Sequence, residues 1–426
     1  MSVLPHSLIY MSDAQQIEVQ LPGEEATLGA ELVFQEKEYL VQLKPYEFLG
    51  QPSQVDVQQI KGGGIACSMG NPSGIAKDYR PRTVWAHIDG EPVTLLDART
   101  TIDFGGNFPW GGLVQKLAGH RMVYGAHLQS EDHTVDGVRF VLDVKRSKGW
   151  GSSAAASFPG GSLLLREHGE GLVGIEATLD DPLPVWEATN RLTAPIRTLF
   201  ALWLWRDVEH GHIEVHDPTH GWLTLHEFSP LHVEKLTRSK LLPLEELTAE
   251  VVAKWFSLAG TLGPIPYMAA QDISVLQTNA LVKSTALEGC HRRLVNPKRG
   301  PEYKERVKDI AQELEDLIPG MFGPNLDDWV GQMTIMRNEQ SHLFTNVDDF
   351  GDAHVTRYFV MATSADWTLR LTLLLQVADR EMVRKALRDC NRLHMALANM
   401  DNPGFWEDYS HAETFRKTVR DRKPNK

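Results

Sequence analysis

Apolar positions along the chain follow two different periods. From about residue 28 to 235 they alternate with polar ones, and turn residues punctuate the runs. That texture predicts antiparallel strands. TVWAHIDGEPVTLL sets Asp89-Gly90 between two such runs, and HTVDGVRFVLDV sets Asp136-Gly137 likewise. Both pairs suit tight hairpins, whose central residues need positive φ. ELVFQEKEYLVQL, GSLLLREHG, GLVGIEATL and HIEVHD read as further strands, while DPLPVWEATNRLTAPIRTLFALWLW has an ambiguous spacing that admits a helix.

From about residue 245 the apolar spacing changes to three and four. LPLEELTAEVVAKWFSLAG, EYKERVKDIAQELEDLI and NLDDWVGQMTIMRNEQSH show it, as does REMVRKALRDCNRLHMALANM, and Pro and Gly fall between such segments. A bundle of five to seven helices is predicted. The expected fold class is therefore α+β in two domains. Residues 1–240 form an antiparallel β-rich sandwich or open barrel, and residues 241–426 form an all-α bundle.

Composition narrows the setting. No apolar run is long enough to span a membrane. The N-terminal MSVLPHSLIYMSDAQQ lacks the basic start and apolar block of a secretory signal. Cys67, Cys290 and Cys390 are far apart and show no metal-ligand spacing. A cytoplasmic location and no cofactor are expected. The net charge is −13, of which residues 1–240 carry −10. A polyanion partner is thus expected at the second half, if anywhere.

One arginine breaks the apolar stripe of NLDDWVGQMTIMRNEQSH. At about 100° per residue, Leu326, Trp329, Val330, Met333 and Met336 share an arc, and Arg337 falls inside it. An unpaired buried guanidinium is very costly. Its head must reach a cleft edge, or meet a fixed anion such as Glu288. Asn338 and His342 are four apart and share a face. Arg337 and His342 differ by about 140° around an unbroken helix. They converge if the arginine stem reaches round, if the helix ends there, or if a second copy supplies one of them.

MRNEQSHLF resembles the Arg-x4–6-His signature of HEPN domains, including the polar residue directly after the arginine. A β-rich region followed by such a bundle is similar in layout to the ApeA-like anti-phage defence proteins. The resemblance covers roughly residues 245–400. It implies a metal-independent endoribonuclease, with RNA (tRNA among the candidates) as substrate and Arg337, His342 and Asn338 as site residues. It further implies a homodimer in which both motifs line one cleft. The N-terminal region would sense a phage-derived trigger or hold the nuclease silent. Some relatives carry a tyrosine two residues after the histidine, where this chain has Phe344.

Three other features invite chemistry. The run HRRLVNPKRGPEYKER contains Arg292, Arg293, Lys298 and Arg299, an edge suited to tracking phosphates or a solvated corner. Glu288 either supports Arg337 or is an ordinary helix carboxylate. In DVEHGHIEVHDPTHGW, His210, His212, Glu214 and His216 alternate, which puts them on one face of a strand. With His220 and His226 they compose either a metal site of a hydrolase or an exposed hairpin.

Overall fold

A computed structural model describes residues 14–25, 27–35, 38–44, 55–60, 64–69, 76–104, 113–130, 132–144, 154–168, 172–206, 208, 210–227, 241–297, 300–341, 352–400 and 406. The N-terminal region is antiparallel and β-rich, and the C-terminal region is helical. The first strands are β1 (Gln15–Gln20), β2 (Leu28–Gln35), β3 (Glu38–Leu43), β4 (Val55–Ile60) and β5 (Gly64–Met69). They are followed by β6 (Ala76–Ile88), β7 (Glu91–Phe104), β8 (Leu113–Gly119) and β9 (Arg121–Tyr124). Strands β7-β6-β1-β2-β3-β8 pair in that order, and β8 pairs back to β7, closing a six-stranded barrel. Strands β4 and β5 form a separate hairpin.

Closure depends on β7 changing neighbours along one edge. Val93–Leu96 pair with β9, whereas Arg99–Phe104 pair with β8. At the changeover Asp97 adopts φ 56°, a left-handed conformation that Asp tolerates better than most residues. Its carboxylate accepts a hydrogen bond from Arg121 Nη1 at 2.7 Å. Side chains fill the barrel, among them Val19, Leu32, Val41, Val84, Leu95 and Leu117.

From β7 an open sheet continues through β9 into six more strands. These are β10 (Thr134–Asp143), β11 (Ala154–Phe158), β12 (Gly161–Glu167), β13 (Leu172–Pro184), β14 (His210–Asp217) and β15 (Gly221–Glu227). Their order outward is β9-β15-β14-β10-β13-β12-β11. The Asp89-Gly90 turn forms as expected, with φ 53° and 86°. Asp136-Gly137 does not turn. Strand β10 runs straight through it with a register shift at Val135/Gly137. Gly137 is needed there for space, since a Cβ would lie 3.1 Å from His216 Cβ and 3.3 Å from Ala177 O.

The ambiguous segment is a helix, α1 (Val185–Leu204), which packs on β10 and β13. Beyond it lie α2 (Ala249–Leu262), α3 (Ile265–Ala270), α4 (Leu276–Leu294), α5 (Tyr303–Leu317) and α6 (Leu326–Ser341). Then come α7 (Asp352–Leu374), α8 (Arg380–Arg388) and α9 (Asn391–Met400). Eight helices thus follow residue 245 among the described residues, against the five to seven expected. One addition arises because REMVRKALRDCNRLHMALANM breaks at Asp389-Cys390, although its apolar spacing continues across the break. A single apolar core runs from the open sheet through α1 into the later helices. Trp203 Nε1 donates to Pro243 O at 2.8 Å, and Trp255 Nε1 to Pro195 O at 2.8 Å. No helix among the described residues is long and apolar enough to cross a membrane.

Candidate functional site

Helix α6 is fixed before its last turns. Asp327 and Asp328 lie in its first turn, where the helix dipole favours acids. Trp329 is wholly buried and donates from Nε1 to Ser364 Oγ of α7 at 2.8 Å. Val330, Met333 and Met336 fill the groove toward the core. Arg337 follows directly and sits at the rim, with a third of its side chain (32%) exposed.

Among the described residues, Glu288, Asn338 and Tyr303 lie around its guanidinium. Nη2 lies 3.5 Å from Glu288 Oε2, on α4. Nη1 donates to Asn338 Oδ1 at 3.3 Å. The ring of Tyr303, at the start of α5, has its centroid 5.5 Å from the guanidinium carbon. Burial raises the pKa of the Tyr303 phenol, the Arg337 charge opposes that rise, and Glu288 adds to it. Glu288 is 14% exposed, and its other oxygen accepts from Arg292 Nη2 at 2.6 Å. One carboxylate therefore joins two guanidiniums from two helices. Asn338 is exposed.

The next residue of the motif faces elsewhere. Glu339 Oε2 accepts from Tyr358 OH at 2.6 Å and from Arg357 Nη2, both on α7. Helix α6 is described through Ser341. His342 lies outside the described residues, as do Lys298 and Arg299.

The basic run divides by function. Arg292 points outward to Glu288. Arg293 Nη1 donates to Thr261 O at 2.8 Å, placing a cation at the C-terminal end of α2. Arg306 is fully buried and donates to Pro301 O, Asn296 O and His291 Nδ1 at 3.2, 2.8 and 3.0 Å. A guanidinium only donates, so His291 Nδ1 accepts, and its Nε2 carries the proton shared with Asp309 Oδ2 at 3.0 Å. These three side chains hold the α4–α5 corner together.

On β14, Ile213, Val215 and Asp217 are buried, so the alternation places Glu214 and His216 on the opposite face as expected. Both are engaged there. Arg139 donates to Glu214 through Nε and through Nη2 at 2.8 Å, and lies 4.4 Å over the Trp222 ring. His216 Nδ1 is 2.5 Å from Asp136 Oδ1. Asp217 faces inward and bridges two imidazoles, His133 Nε2 and His220 Nδ1, the latter at 2.8 Å. The His226 ring meets the Tyr124 ring edge-on. The side chain of His212 lies outside the described residues. Among the described residues, no group of three or more His, Cys, Asp or Glu side chains is arranged to hold a metal ion.

Sequence reasoning missed Tyr303, Arg357 and Tyr358. A usable signal existed for one of them. Arg357 breaks an apolar helical stripe just as Arg337 does, and it is 6% exposed. Set against protein-family models, curated proteins and solved structures, the chain matches none of them.

Proposed function

We propose that the protein is a metal-independent endoribonuclease that cleaves RNA, tRNA being one candidate, in an anti-phage defence response. Arg337 is the phosphate-binding cation and His342 the general base. The base removes the 2′-hydroxyl proton, and that oxygen attacks the adjacent phosphorus in line. The P–O5′ bond breaks, the leaving oxygen takes up a proton, and a 2′,3′-cyclic phosphate remains. Imidazole suits the first step because its ordinary pKa lies near neutrality. The guanidinium fork matches the non-bridging oxygens, on which charge builds. Asn338, exposed beside Arg337, orients the imidazole or the phosphate.

The observation that carries this reading is the placement of Arg337. Its guanidinium is held at a partly exposed rim by Glu288 and Tyr303, on the last described turn of α6. By the resemblance to HEPN domains, a second copy of the chain brings its own His342 to Arg337, so a homodimer is part of the proposal. The β-rich region is the seat of gating by a phage-derived cue.

A second reading is a non-catalytic module that dimerises or docks RNA. The Arg337–Glu288 ion pair favours it, because an arginine that already has a fixed anionic partner needs no substrate. A metal-dependent hydrolase at the histidine hairpin has less support, since Glu214 and His216 are bound to Arg139 and Asp136.

Purified protein incubated with RNA and EDTA separates these. The nuclease reading expects cyclic-phosphate ends, no cleavage of a 2′-deoxy substrate, and loss of activity in Arg337→Ala and His342→Ala with the fold kept. Undiminished toxicity or protection in cells from both variants defeats it.

A further inference from the structure

We propose that Glu288 is a placeholder carboxylate. In the RNA-free protein it fills the position between Arg337 and Arg292 that a substrate phosphate takes, and the phosphate displaces it. The inference rests on the reading of Arg337 as a phosphate-binding residue and adds a means by which that site is held closed.

Three observations carry it. Each Glu288 oxygen serves a different guanidinium, Arg292 at 2.6 Å and Arg337 at 3.5 Å. A carboxylate and a phosphate offer guanidinium the same two-oxygen edge, so one can replace the other without rebuilding the site. Secondly, both arginines remain open to solvent, with side chains 49% and 32% exposed. The structural arginines of the same bundle differ: Arg306 and Arg370 are 0% and 4% exposed and donate to backbone carbonyls. Thirdly, the Arg337 contact is long for a charge-assisted hydrogen bond, which ordinarily spans about 2.7–2.9 Å. So long an ion pair, with its guanidinium partly exposed, contributes little, and a phosphate can take the carboxylate's place against Arg337. Glu288, Arg292 and Arg337 together carry one net positive charge, and the two guanidiniums without the carboxylate carry two. Glu288 thus weakens capture of any stray phosphate and yields to a ligand that brings further contacts.

The test uses the full-length protein and a fluorescent 2′-O-methyl oligoribonucleotide, which has the phosphates but no attacking hydroxyl. Glu288→Gln is expected to bind it about fivefold more tightly at fixed salt, the scale of one unit charge removed at close range in water. Glu288→Asp draws the carboxylate back by one methylene and is expected to tighten binding less. Arg292→Gln is expected to weaken binding, and in the double variant with Glu288→Gln the gain shrinks. Thermal melts establish that each variant is folded. If folded Glu288→Gln binds no better or worse than the wild type, Glu288 only positions Arg337 and the proposal fails. Cleavage of unmodified RNA is scored separately. Wild-type protein that cleaves, beside a Glu288→Gln that gains no affinity, sinks the placeholder and spares the nuclease. The converse pair of results spares the placeholder alone.

Discussion

Lys283 Nζ lies 2.6 Å from Asp366 Oδ1, and the lysine is almost wholly buried between α4 and α7. The same ammonium donates to Ala269 O and Gln271 O, each at 2.9 Å, at the end of α3. One turn along α7, Arg370 donates to Ala201 O and Leu202 O at 3.1 and 3.3 Å, at the end of α1. It also lies 4.1 Å over the Trp205 ring. Two helix C-termini, each partly negative, thus receive buried cations. Burial lowers the pKa of Lys283, while Asp366 opposes that fall. Removing the only carboxylate of this trio leaves two buried cations without it. Asp366→Ala is expected to cost about 3–5 kcal/mol, read as a lower urea midpoint, whereas Lys283→Met costs less because its apolar stem is replaced.

The clamp on Glu339 predicts a different outcome. Arg357 and Tyr358 hold this carboxylate and thereby orient the last turns of α6. Tyr358→Phe removes one donor and is expected to cost about 1 kcal/mol. The same change is expected to lower RNA cleavage through misplacement of Arg337, with near-wild-type circular dichroism. Cleavage kinetics and melts on one sample check both.

Arg337→Lys keeps the charge and loses the fork. If the two-point contact with phosphate matters, lysine restores little of the roughly 10²–10³-fold loss expected for Arg337→Ala. Full activity in the lysine variant would reduce the residue to a point charge.

Asp217 gives a stability prediction with a pH signature. Burial raises its pKa, but hydrogen bonds from His133, from the backbone N–H groups of His220 and Thr219, and from the His220 ring outweigh it, leaving about 2 against an ordinary 3.8. The folded state therefore takes up this proton less readily than the unfolded chain. The stabilisation is present above about pH 4 and is lost as pH falls through about 2. Asp217→Asn is expected to cost about 2 kcal/mol at neutral pH. The gap from the wild type narrows in acid, and melts between pH 2 and 7 measure it.

Gly161→Ala tests the open sheet. A Cβ there would lie 2.1 Å from Thr178 O and 2.8 Å from the Phe158 ring, so β12 and β13 would have to separate. A loss of about 1–3 kcal/mol is expected, against nearly none for Gly331→Ala, where nothing lies within 4 Å.

The division into strands and helices was legible because each half keeps its own period. Barrel closure was not, since the β7–β8 pairing and the Asp97 irregularity leave no local pattern. Asp136-Gly137 misled for a related reason. The same dipeptide serves a turn or a crowded point in mid-sheet, and only the neighbours β13 and β14 decide. In the candidate site, the cost of a lone buried guanidinium led from Arg337 to Glu288, 49 positions away. That principle applied equally to Arg357. The basic run showed its charges but not their directions. Arg306 turns inward and Arg293 turns to α2 because carbonyls await them there, and sequence does not display carbonyls.

The joined strands of the barrel have a consequence for assembly. A ring has no terminal strand, and among the described residues the large sheet ends in one border, β11, which packs against α2. Ladder extension by a foreign segment on the described part of that sheet is therefore left the β11 border, and a helix lies against it. On the barrel itself, copies of this chain that meet find no terminal strand to extend, so side chains and not backbone choose the partner there.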